Sequence, residues 1–148
     1  MKSRKEFIED SFLRYLQSQL AGNEYFVGVN WYPGHSIDTK KDPAIIVAGT
    51  QGRNTDPGYA VYEGSLEIIL SIQIDKPDPR NSMSVRMALI ERTLLDIPAA
   101  CAAINAEAEA RGDGWAIDGY AGEEISGSER AGSWHEGFTY NIWMTGRG

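Results

Sequence analysis

The chain has 148 residues, 14 of them basic and 21 acidic, which gives a formal charge of −7 at neutral pH. That length suits a single domain able to bury roughly two-thirds of its unfolded surface. The acidic balance disfavours a nonspecific grip on DNA or on an anionic membrane, and the single cysteine, Cys101, rules out an intrachain disulfide and a paired-cysteine metal site.

The basic start at Lys2, Arg4 and Lys5 is followed by apolar positions interleaved with Glu9, Asp10 and Arg14. This is not the uninterrupted apolar core of an export signal, so synthesis and folding in a reducing cytoplasm are expected. Ser3 and Glu6 have capping-box spacing, and Ile8, Phe12, Tyr15, Leu16 and Leu20 then recur at helical intervals. The first element is therefore an amphipathic helix. Ala21-Gly22-Asn23 should end it in a left-handed cap, and the aromatic and β-branched stretch Tyr25 to Tyr32 should open a sheet.

Pro33-Gly34-His35 and the polar stretch to Asp42 interrupt that strand, and Ala44 to Ala48 forms a second one ending at Gly49. Gln51 to Gly58 is dominated by turn formers and should project as a polar loop. From Tyr59 to Ile74 the period is two: Leu66, Ile68, Leu70, Ile72 and Ile74 share one face, and Gly64 is a candidate bend or bulge. The longest mainly apolar run, Leu66 to Ile74, contains Glu67, Ser71 and Gln73 and falls far short of the roughly 20 residues needed by a membrane helix. Lys76-Pro77-Asp78-Pro79-Arg80-Asn81 stops the strand as an exposed loop, because proline cannot donate a ladder hydrogen bond.

Ser82 or Ser84 can cap the next helix, whose apolar face includes Val85, Met87, Leu89, Ile90, Leu94 and Leu95. Asp96 followed by Pro98 reads as a fresh helix start, so Ala99 to Ala110 should form a second, angled helix with Cys101 packed as a small hydrophobe. Gly112-Asp113-Gly114 is a turn and Trp115 to Tyr120 a strand, while Glu123 to Ser133 is a polar stretch, extended or unstructured. In the last strand Trp134, Glu136, Phe138, Tyr140, Ile142 and Met144 share the face turned to the helices. The expected fold is thus a single α+β domain spanning residues 1–148. Its mainly antiparallel sheet has about five strands, with the N-terminal helix and the central helical region on one face.

No reactive constellation is legible. His35 and His135 lack zinc spacing, no phosphate-binding glycine pattern or nucleophile elbow occurs, and the acids are scattered. No catalytic residue, metal or cofactor is therefore expected. Trp31, Tyr32, Tyr59, Tyr62, Trp134 and Trp143 lack the interleaved basic residues of a base-stacking platform, which favours core packing or a protein interface.

The opening helix, the polar loop Gln51 to Gly58 before the long strand, the broken turn Lys76 to Ser84, the helix Val85 to Asp96 and the aromatic strand Trp134 to Met144 together form a recognisable layout. It resembles the tail-terminator and tail-completion proteins that form the neck of tailed bacteriophages. The resemblance implies a structural protein of the virion neck that forms a ring, commonly a hexamer. It would cap the tail tube, dock the head connector and let DNA pass through a channel without specific binding. It implies no catalytic residues. Loops are natural docking elements, so Arg53, Asp56, Tyr59, Asp78, Arg80 and Trp143 are the interface candidates: the arginines for ion pairs, Tyr59 and Trp143 as apolar anchors. The alternatives are another virion adaptor of similar fold, a small hydrolase whose carboxylates converge on folding, or a small binding domain.

Overall fold

The computed structural model describes residues 2–50, 52–55, 60–74, 79–130 and 132–147. Helix α1 (Arg4–Leu20) begins where the capping box places it, with Ser3 Oγ accepting from Glu6 N–H at 3.2 Å. It ends without a left-handed residue: Ala21 stays right-handed and its N–H bonds the Gln17 carbonyl. The strand expected from Tyr25 is shortened for a local reason. Asn23 Oδ1 accepts from Tyr25 N–H and starts a 3₁₀ turn over Glu24–Phe26, and Gly28 then takes φ +77°, so extended pairing begins only at β1 (Asn30–Pro33).

Strands β2 (Ala44–Gly49), β3 (Arg53–Asn54) and β4 (Val61–Gln73) follow, then α2 (Pro79–Leu95), α3 (Ile97–Arg111), β5 (Trp115–Arg130) and β6 (Ser133–Gly146). The sheet order is β1-β2-β4-β6-β5, with β3 pairing β4 beside β2. Among the described residues only the β1–β2 pairing is parallel. The described residues thus form six strands where about five were expected. The added one is β3, where Arg53 and Asn54 fold back onto Glu63 and Tyr62 inside the segment expected to be loop. Gly64 is neither bend nor bulge, since β4 pairs with β6 in continuous register through it; a Cβ there would come within 3.1 Å of the Thr50 carbonyl.

The period-two reading of the central strands holds. Leu66, Ile68, Leu70 and Ile72 from β4, with Phe138, Tyr140, Ile142 and Met144 from β6, are buried beneath the helices. They meet Phe7, Ile8, Phe12 and Leu16 of α1 and Met83, Met87, Ile90 and Leu94 of α2 in one core. Full burial of each such side chain contributes roughly 1.5–3 kcal/mol. No helix among the described residues covers the opposite face of the sheet, and Glu67, Asn141 and Trp143 are exposed there.

α2 starts at Pro79, ahead of the serines expected to cap it, so proline and Arg80 occupy its first turn, where a missing N–H costs nothing. The break between the helices falls where expected: Asp96 Oδ1 accepts from Ala99 N–H, and Pro98 sits in the first turn of α3. Tyr120 Oη donates to the Leu94 carbonyl at 2.5 Å, satisfying an end-of-helix acceptor left free by the break. Burial, followed by nearby Cys101 and other acidic groups, pushes the Tyr120 phenol well above its ordinary range. Cys101 is buried in α3, and burial pushes its thiol up as well. Of the stretch Glu123 to Ser133, residues up to Arg130 take the extended alternative as part of β5 and Ser133 opens β6, while Ala131 lies outside the described residues. No helix among the described residues is long and apolar enough to cross a membrane.

Candidate functional site

Glu9 lies on the same stripe of α1 as Leu13, Leu16 and Leu20, and its side chain is fully buried. A carboxylate there must be paired. Its Oε2 accepts from Lys5 Nζ at 2.6 Å and from Gly49 N–H at 2.9 Å; its Oε1 accepts from His35 N–H at 2.9 Å and lies 2.6 Å from His35 Nδ1. Burial alone would raise the Glu9 carboxyl, but the bonds from Lys5, Gly49 and His35 outweigh it and hold the group below its ordinary range. Gly34 makes this approach possible, since a Cβ at that position would stand 2.6 Å from Glu9 Oε2.

The result is an anchor for the loop that leaves the edge strand β1. Its far end is clamped as well: Asp42 accepts from Ser71 Oγ at 2.6 Å and from Ser133 Oγ, and Lys41 N–H bonds Tyr32 Oη at 3.2 Å. Between these clamps Ile37 is 100 % exposed. Lys40 spans the Tyr32 ring at 5.8 Å and donates to the Ser36 carbonyl. Neither Lys40 nor Lys41 pairs with a carboxylate among the described residues.

On its solvent side His35 Nε2 lies 3.8 Å from Asp10 Oδ1, and donor atoms of Glu6, Asp10 and His35 lie within 4.8 Å of one another. The three could share a cation, an arrangement that sequence spacing does not reveal. Positive charge is already supplied by Lys2, 3.4 Å from Asp10 Oδ2, and by Lys5 on Glu9. His135 instead faces the bare side of the sheet, across from Ser71 and Ser128, in a polar depression of about 70 Å³ with Glu67 and Ser126.

The second surface is at the other end of the sheet order. The outer half of β5 reaches past α3, leaving Ala121, Gly122 and Ile125 to Glu129 exposed. Between this hairpin arm and α2 runs an open groove of about 670 Å³. Met83, Met87, Ile72 and Phe138 form its buried floor, while Ile74 and Ile125 rise at its rim with 41 % and 63 % of their surface exposed. Among the described residues its polar lining is Ser84 and three carboxylates, Glu91, Glu129 and Glu136, the last accepting from Trp134 Nε1 at 2.9 Å.

The residues singled out from the sequence do not converge. Arg53 is on β3, its side chain largely exposed and 4.0 Å from Glu63. Trp143 is on the bare face of β6, 37 % exposed, paired across strands with Glu63 and Gly119. Asp56, Tyr59 and Asp78 lie outside the described residues, as does the side chain of Arg80. Of the other aromatics, Trp31 stacks on Phe26 at 5.9 Å and Tyr62 meets Trp115 edge-on at 5.4 Å, both against the core.

Ile37 and Ile125 were missed, although each carried a signal: a lone branched apolar residue inside a polar stretch. Glu9 carried one too, as a carboxylate on an otherwise apolar helical stripe. No protein-family model matches the chain, and no curated protein does.

Proposed function

We propose that the chain is a structural subunit of a tailed-phage neck, which assembles as a ring, caps the tail tube and offers a docking surface to the head connector. One observation carries this reading: a long hairpin arm, exposed over its outer half, walls an apolar groove that the subunit leaves open. Grooves of this kind mark places where another protein is bound. The α+β layout supports the same reading through its likeness to neck proteins. The acidic balance also suits a channel whose walls repel DNA phosphates. In this reading the work is done by shape and complementary patches, without covalent chemistry, and the finished protein resides in the virion neck.

The test is native mass measurement and electron microscopy of the purified chain, with and without tail tubes. Rings, alone or seated on tube ends, are expected. A chain that stays monomeric and never joins tubes overturns the reading.

A hydrolase remains the second reading, favoured by the Glu9–His35 contact. General-base chemistry would require the other ring nitrogen to face a nucleophile or water, whereas here it faces Asp10. Ester or phosphoester turnover abolished by His35→Gln would support it.

A further inference from the structure

We infer that the acid-rimmed groove beside the β5–β6 hairpin receives the Gly34–Asp42 loop of a second copy of this chain, with Ile37 as the buried anchor. The inference rests on the self-assembly reading above and gives it an interface.

Chemistry argues for this occupant. The groove offers an apolar floor with carboxylates as its described charged lining, among them Glu91 and Glu129. The loop offers a wholly exposed isoleucine, the exposed Asp38 beside it, and then Lys40 and Lys41, which lack carboxylate partners among the described residues of their own chain. An apolar knob flanked on its C-terminal side by two lysines against one exposed carboxylate therefore fits an apolar socket whose described charged lining is acidic.

Geometry also argues for it. The loop leaves β1 and the groove is walled by β5, the opposite ends of the sheet order. A contact joining opposite ends of one subunit to its neighbour is head-to-tail, and repetition of such a contact closes a ring or propagates a filament. The loop is also held in place before binding. The Glu9 carboxylate grips His35 at one end and Asp42 bridges Ser71 and Ser133 at the other, so little ordering entropy remains to be lost on docking.

The experiment is disulfide trapping, which is clean because the native Cys101 is buried. Ile37→Cys and Ile125→Cys are introduced singly and together, and the purified chain is oxidised under the conditions in which it assembles. The double variant should give a ladder of covalent multimers and each single variant nothing beyond dimer. Separately, Lys40→Glu with Lys41→Glu should weaken assembly by about tenfold or more, and adding Glu91→Lys with Glu129→Lys should restore it.

A double variant that forms rings without a ladder overturns the loop-in-groove contact and leaves the ring standing. A chain monomeric under every condition, tail tubes included, overturns the ring and this contact together. Trapping of the Ile125→Cys groove by a tail-tube protein, with no chain-to-chain ladder, assigns the groove to that partner and also overturns the inference.

Discussion

Glu9 shows how one buried charge organises a surface feature. Four donors converge on it, two from a loop 26 residues away and one from a strand end 40 residues away. Glu9→Gln would replace one accepting oxygen with an amide that turns its own hydrogens toward donors. A loss of about 2 kcal/mol is expected, read as a fall of roughly 4–8 °C in melting temperature. Acid should act through the same group. Because the folded-state carboxyl lies below its ordinary value of 4.5, its contribution is fully present above about pH 4.5 and is lost as pH falls through the folded value. The wild-type melting temperature should therefore drop on acidification below that point, and Glu9→Gln should lose this part of the slope. Equal slopes in the two proteins would show that Glu9 is not the group responsible.

Where an element is bounded by its own neighbours, its sequence is enough to place it. The Ser3 cap, the Asp96–Pro98 restart and the period-two faces of β4 and β6 are local signals, and each appears where local chemistry puts it. What escaped was set at long range. β3 exists because β4 offers a partner, and the outer half of β5, polar and exposed, has no hydrophobic period to betray it; only pairing with β6 makes it a strand. The Glu9 anchor and the groove escaped for the same reason, since each gathers residues from several elements.

Two side chains bridge elements that local signals leave separate. Asn105 of α3 pairs with both backbone groups of Ile117, giving and accepting at 2.8 and 2.7 Å, and so covers the inner part of the β5 edge. Tyr120 ties β5 to the end of α2 through the Leu94 carbonyl, inside the core. Tyr120→Phe keeps the ring and strands that carbonyl, so a loss of about 1–2 kcal/mol is expected in chemical denaturation, with an unchanged m-value. A loss below about 0.3 kcal/mol would mean that the carbonyl finds another donor when the hydroxyl is gone.

At the scale of the whole molecule, the proposed ring assembly would draw on a different part of the sheet from the part that stabilises the subunit. Ile68 and Ile125 are both strand isoleucines paired across from Phe138, one on each side of β6. Ile68 is 1 % exposed beneath the helices, whereas Ile125 stands 63 % exposed on the hairpin arm. Ile68→Ala should therefore cost about 2–5 kcal/mol of subunit stability. Ile125→Ser removes little that the folded subunit has buried, and its cost should stay within about 0.5 kcal/mol. Assembly should respond in the opposite sense. An exposed isoleucine at the rim of an open groove gains its burial only when a partner arrives, so Ile125→Ser should weaken ring formation by about tenfold while the melting temperature of the isolated subunit barely moves. Sedimentation across a concentration series, set beside thermal melts of the dilute subunit, separates the two quantities. If Ile125→Ser lowered the melting temperature as Ile68→Ala does and left assembly untouched, the arm would belong to the core of the fold and the groove would lose its standing as an interface.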